Sequence, residues 1–206
     1  MRDQIVNWVN PTAETRLPRV EWAEGDYRLN PAAREPQSYI PAAVLVPLVA
    51  HESGMTVLLT LRTDHLNDHA GQVSFPGGRV EPGDADSVAT ALRESEEEIG
   101  LPPAHVEVVG YLDRYRTITG FDIEPVVGIV QPGFELAPDP FEVAEVFEIP
   151  LALILEKSNF VRRSRIHRGE RRHFYEIPHH RFHIWGATAG ILHNLCLRAN
   201  RAAPID

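Results

Sequence analysis

The stretch Arg93-Glu94-Ser95-Glu96-Glu97-Glu98-Ile99-Gly100-Leu101 carries the densest chemistry in the chain. On a helix, Glu94, Glu97 and Glu98 are related by steps of three and four and share a face, while Glu96 points elsewhere. Like charges so spaced repel by roughly 0.2–0.5 kcal/mol per exposed pair, and a bound divalent cation reverses the sign of that cost. Hard carboxylate oxygens suit Mg²⁺ or Mn²⁺, ions that bridge carboxylates and phosphate oxygens. Arg93 stands directly before the cluster and can fix a carboxylate rotamer. Upstream, Phe75-Pro76-Gly77-Gly78 ends a strand in two glycines, which let a ligand approach the backbone and leave N–H groups for an anion. A bare acidic run is most often a solvated face. The adjoining arginine and glycine loop turn this one into a metal platform beside an anion-tolerant loop.

The elements that must position these groups follow from hydrophobic period. Ala42 to Val49 is a continuous apolar run, as in a strand buried on both faces, and Met55 to Arg62 follows a turn at Glu52-Ser53-Gly54, so the pair reads as a hairpin. Val73-Ser74-Phe75 is a further strand. From Asp84 the period becomes helical, with Val88, Ala91, Leu92, Ser95 and Ile99 on one face, Asp84 or Asp86 as N-cap and Gly100 at the end. Val106 to Leu112 and Ile123 to Val130 read as strands. Val143 to Leu155 reads as a strand and then a short helix punctuated by Pro150, Arg171 to Ile177 as a strand, and Ile184 to Ala199 as an amphipathic helix. The expected class is α/β, a mixed sheet flanked by helices.

The chain has 206 residues, enough for one ordinary domain, with 43% hydrophobic and 24% charged residues, averages that exclude wholesale disorder. Its net charge of −9 argues against general electrostatic binding of nucleic acid, so a phosphate-bearing ligand needs a metal or a local basic patch. With one cysteine, Cys196, in an apolar setting, a disulfide framework is excluded and a small core residue expected. No run approaches the length of a membrane span, so a soluble cytoplasmic protein is expected. Residues 1–37 carry several prolines and no sustained period and read as an N-terminal arm before a domain at 38–200. Trp8 and Trp22 in that arm are expected to dock it onto the body or onto a second copy in a homodimer. His179, His180 and His183 lack a fourth ligand for zinc and read as surface and core-edge histidines.

The stretch from Gly78 to Leu101 resembles the Nudix box, G-x5-E-x7-R-E-U-x-E-E-x-G-U with U apolar. Arg93, Glu94, Glu97, Glu98, Gly100 and Leu101 match, and Ser95 stands at an apolar position. Counting back from Arg93 puts Ala85 at the early glutamate and Arg79 at the glycine, so the first half is one residue longer, with Asp84 and Asp86 bracketing the gap. Upstream, Leu58-Leu59-Thr60-Leu61-Arg62 and Gly71 to Gly78 are similar to the motif of Nudix coenzyme A pyrophosphatases, L-L-T-x-R-S/A-x3-R-x3-G-x3-F-P-G-G. Thr63 replaces Ser or Ala there, and Asn67 replaces the second arginine.

The resemblance implies a Nudix-type α/β/α sandwich and metal-dependent hydrolysis of a diphosphate. From coenzyme A or its thioesters the products are adenosine 3′,5′-bisphosphate and (acyl-)4′-phosphopantetheine. It assigns Glu94, Glu97 and Glu98 to Mg²⁺ or Mn²⁺ and Arg93 to orienting a carboxylate. The general base is a box glutamate or a carboxylate of the later loop, Glu142 or Glu145. Arg62, His69, Gly77 and Gly78 fall to the substrate. Arg162, Arg163, Arg165, Arg168, Arg171 and Arg172 read as a solvated turn between strands, or as the cations that replace the motif arginine and meet the 3′-phosphate. Asn67 keeps a second substrate class open: ADP-ribose, NADH or a diadenosine polyphosphate. A non-catalytic nucleotide sensor is the third alternative, and the intact Glu94, Glu97 and Glu98 set argues against it.

Overall fold

The computed structural model describes residues 1–10, 25–65, 69–167 and 169–202. In chain order its elements are α1 (Arg2–Trp8), α2 (Asp26–Leu29), β1 (Ile40–His51), β2 (Gly54–Arg62), β3 (Val73–Ser74), β4 (Gly77–Arg79) and α3 (Ser87–Ile99). There follow β5 (Val106–Tyr111), β6 (Tyr115–Arg116), β7 (Phe121–Val130), β8 (Val143–Pro150), α4 (Leu151–Leu155), β9 (Val161–His167), β10 (Glu170–Pro178), β11 (His183–Trp185) and α5 (Gly186–Ala202).

The main sheet runs β3-β2-β1-β7-β5, with β4 added to β1, β6 to β7 and β8 to β2. β1 and β7 pair in parallel over ten residues and the other pairs are antiparallel, so the sheet is mixed. A parallel central strand is covered on both faces, which is why β1 is a run of apolar residues without alternation. Its side chains divide between two cores. Ala43, Leu45 and Val49 join α3 through Ala91 and Ile99, whereas Val46 and Leu48 join Ile191, Leu192 and Leu195 of α5. The result is the expected α/β/α arrangement.

A three-stranded sheet, β11-β10-β9, packs onto the α5 side, where Ile177, Phe182 and Ile184 enter the core. β9 was expected as a solvated turn; it is a strand paired with β10 from Val161↔Glu176 to His167↔Glu170. Almost every residue of β9 is exposed, so no apolar alternation betrays it, and its pairing with β10 defines the strand.

The N-terminal segment docks onto the body. Ile5 is fully buried in the α5-side core, and Arg198 Nε donates to the carbonyl of Trp8 at 2.6 Å. Asp26 at the start of α2 accepts from Tyr115 Oη at 2.8 Å and from the Ile118 N–H at 2.9 Å. Trp22 lies outside the described residues. Cys196 is fully buried, as expected. Among the described residues no helix is long and apolar enough to cross a membrane. Replacing Ile5 by Ala leaves a cavity between α1 and the body and should cost roughly 2–5 kcal/mol in denaturant unfolding; unchanged stability would show that α1 contributes nothing to the fold.

Candidate active site

α3 is fixed at both ends before any ligand is considered. Asp86 is the N-cap, its Oδ1 accepting from the Ala89 N–H at 2.8 Å. Gly100 closes the helix in the left-handed region at φ 67°. Ser95, at the box's apolar position, is fully buried, and its hydroxyl is satisfied by the Ala91 carbonyl at 2.6 Å. It therefore packs as an apolar residue would.

Asp84 does not cap the helix. Arg93 grips it bidentately with one edge of the guanidinium, Nε to Oδ1 at 3.0 Å and Nη2 to Oδ2 at 3.1 Å. Thr90 Oγ1 and the Glu81 N–H also donate to Oδ2, at 2.8 and 2.9 Å. Arg93 holds the Asp84 carboxyl well below the usual carboxylate range. The remaining donors of Arg93 reach Glu97 Oε2 at 2.9 Å, Glu94 Oε1 at 3.0 Å and the Arg79 carbonyl at 3.3 Å. One side chain thus ties the loop before α3, the helix and β4 together. Sequence reading left Asp84 only as a cap or a neighbour of the gap; the available signal was an acid one place before Ala85.

The glycine pair, expected as a loop end, forms β4, which pairs with β1 at Val44↔Gly77 and Ala43↔Gly78. The anion that Gly77 takes is the protein's own: its N–H donates to Glu98 Oε2 at 3.1 Å. Glu98 is 4% exposed, and burial pushes its carboxyl up to about 7, with the Glu142 and Glu94 charges adding to the rise. Glu94 is raised in the same direction, chiefly by burial. A side chain at position 78 would overlap both Glu94 oxygens, so only glycine leaves that carboxylate its place against β4.

Arg62, at the end of β2, approaches Glu98 Oε1 at 3.5 Å and Glu142 Oε2 at 4.0 Å. A bulge brings Glu142 there: β8 pairs Glu145 with Leu61 but Val143 with Arg62. The extra residue turns Val143 into the α3-side core while Phe147 and Ile149 stay on the α5 side. Thr63 pins the Glu142 loop, its N–H donating to the Glu142 carbonyl at 3.0 Å and its hydroxyl to the Phe141 carbonyl at 2.8 Å. Glu145 shares the α5 face with Phe147, and Arg181 holds it at 2.7 Å. Arg62, Gly77, Gly78, Arg93, Glu94, Glu97, Glu98 and Glu142 are therefore gathered, and Glu145 is not. His69, in the left-handed region at φ 58°, bonds Gln72 Oε1 at 3.1 Å. Asn67 lies outside the described residues.

Among the described residues no three His, Cys, Asp or Glu side chains converge into a ready cation cage. The donor set still suits a hard divalent cation. Glu98 is a buried and Glu94 a partly buried carboxylate, both shifted toward the neutral form, and a cation offsets both the burial cost and their mutual repulsion.

The arginines of β9 and β10 sit elsewhere. Arg163 reaches Glu176 at 3.6 Å and Arg165 lies 4.3 Å over the Trp185 ring, on a sheet that packs against the α5 side. Arg168 is outside the described residues. His183 bonds Glu176 at 3.0 Å, and His179 stacks beside Phe182.

Gly78→Ala should push the Glu94 carboxylate off β4 and lower turnover at least tenfold with little change in Tm. Gly83→Ala, with nothing within 4 Å of the added carbon, should leave both unchanged. Equal activity in the two variants would remove Glu94 from the site.

The family model for the NUDIX domain matches residues 39–168. NudL of Escherichia coli strain K12, described as an uncharacterized Nudix hydrolase, is 42% identical over 166 residues, covering 80% of this chain and 85% of that protein. NudL of Shigella flexneri gives the same identity and coverage. Among solved structures, the Nudix domain of Shewanella oneidensis NrtR complexed with ADP ribose aligns at a TM-score of 0.44 and 22% identity, over 63% of this chain and 84% of that one. With the box residues gathered on α3 and the domain match spanning most of the chain, this protein belongs to the Nudix hydrolase family and is a diphosphatase of nucleoside diphosphate derivatives.

Proposed function

We propose that the substrate is coenzyme A or one of its thioesters, cleaved at the diphosphate to adenosine 3′,5′-bisphosphate and (acyl-)4′-phosphopantetheine. What carries the reading is the place of Arg62. The strand Leu58-Leu59-Thr60-Leu61-Arg62 ends beside Glu98 and Glu142, across from the Gly77-Gly78 strand, so the upstream motif and the box meet at one point.

Glu94, Glu97 and Glu98 would hold Mg²⁺ or Mn²⁺, which supplies charge neutralisation of the diphosphate and an activated water. Arg93 fixes the rotamers of Glu94 and Glu97 while anchored on Asp84. Glu142 is partly exposed, and its carboxylate would accept the proton of an attacking water. Arg62, next to it, can turn its planar fork toward a phosphate oxygen. Asn67, where the motif has arginine, is the feature that favours the second substrate class of ADP-ribose, NADH or a diadenosine polyphosphate.

Incubation with coenzyme A and Mg²⁺ or Mn²⁺, with ADP-ribose and NADH in parallel, should release adenosine 3′,5′-bisphosphate from coenzyme A at the highest kcat/KM. Glu97→Gln and Glu142→Gln should lower kcat by orders of magnitude without unfolding the chain. Turnover confined to the other diphosphates would refute the substrate.

A further inference from the structure

Beyond Gly78, on the α3 face of the sheet, the surface next to the carboxylates is open and apolar. Ala42↔Arg79 and Ala43↔Gly78 set the register of β1 against β4, and the Val80 N–H donates to the Pro41 carbonyl at 3.1 Å. Side chains two residues apart share a face, so Val80, Pro41 and Tyr39 continue the face of Gly78 and Ala43. Pro41 is exposed, Val80 is 39% exposed and Tyr39 is half-buried. The strip extends about 13 Å along the strand from Ala43 to Tyr39, a span suited to a nucleoside leading away from a diphosphate.

Two guanidiniums stand at its edge. β7 lies parallel to β1, with Asp122 level with Pro41 and Glu124 level with Ala43. Arg116 lies 4.9 Å over the Tyr39 ring, and its ion pairs are long, 3.7 Å to Glu35 and 3.9 Å to Asp122. Arg114 reaches Asp122 at 3.2 Å and Glu124 at 3.5 Å. Its Nε is buried without a partner among the described residues.

We propose that the strip of Tyr39, Pro41 and Val80, edged by Arg114 and Arg116, binds the nucleoside end of the substrate, the two guanidiniums receiving a phosphomonoester on that nucleoside. The proposal rests on the coenzyme A reading for the identity of that phosphate. Three observations converge on it. The floor is continuous with Gly78, against which Glu94 lies. An aromatic ring under a guanidinium is a stacking platform for a base. In a chain of net charge −9, a phosphate remote from the carboxylate cluster needs a local cation. Arg62 and Arg93 stand at the carboxylate cluster itself, where the diphosphate would lie, and the arginines of β9 and β10 lie on the sheet packed against the other face.

Calorimetric titration with adenosine 3′,5′-bisphosphate and with AMP, in Mg²⁺ buffer, tests this without turnover. Wild type should bind the bisphosphate more tightly than AMP. Arg116→Gln should remove roughly tenfold of that preference and leave AMP binding near normal. Tyr39→Leu, which keeps bulk and removes the ring, should weaken both nucleotides. Arg163→Gln, on β9, should change neither, and thermal melts establish that each variant is folded. A wild type that binds both nucleotides equally, or a preference that survives Arg116→Gln, would overturn the subsite. Failure of wild type to cleave coenzyme A would instead overturn the substrate, since nucleotide affinity is read independently.

Discussion

A carboxylate held dry against a backbone N–H governs the geometry of this molecule. Glu98 is almost completely buried, with Gly77 as its donor. Keeping a charge there is costly, and burial raises its pKa in spite of the Gly77 N–H and the Arg62 charge. The contact also fixes the helix. With Glu98 over Gly77, Glu94 lies one turn earlier, and that turn brings it onto Gly78, where only the absence of a side chain makes room. Arg93 then faces the outer edge of β4 and closes on Asp84, Glu94, Glu97 and the Arg79 carbonyl together. The acidic run is less a patch of charge than a set of carboxylates placed one by one.

The sheet makes that placement rigid. β1 takes β4 on one edge and runs parallel to β7 on the other, so one buried strand carries the glycines under α3 and the floor that leads away from them. On the far side of the hairpin, a single extra residue in β8 decides which acid joins the cluster. The bulge brings Glu142 beside Arg62 and leaves Glu145 on the opposite face with Arg181. The loop that carries Glu142 is also tied to the end of α3, the Asp139 N–H donating to the Glu98 carbonyl at 2.9 Å.

Much of this was legible because it follows from local spacing. The steps of three and four among Glu94, Glu97 and Glu98, the cap at Asp86, the Gly100 stop and the apolar run of β1 each express a period that sequence preserves. What escaped depends on pairing between distant segments. The exposure of β9 on both faces erases its alternation, so Arg162 to Arg165 read as a turn. The role of Asp84 rests on where the loop before α3 folds back, and the separation of Glu142 from Glu145 on a one-residue irregularity between β2 and β8. The corner of Tyr39, Arg114 and Arg116 joins an N-terminal residue to β6 and the loop before it. No window of contiguous sequence contains it.

On the function proposed for the site, the charge of the buried Glu98 carboxylate is relieved by a divalent cation. The folded-state pKa of Glu98, about 7, stands above the ordinary 4.5. In metal-free protein its contribution to stability is therefore present below pH 4.5 and lost as the pH rises to 7. The direct measurement is the Tm of metal-free wild type and Glu98→Gln across that interval, repeated with Mg²⁺. Wild type should lose ground to the variant as the pH rises, and Mg²⁺ at pH 7 should restore it and lift it above the variant. A difference that stays flat with pH and ignores Mg²⁺ would contradict the claim.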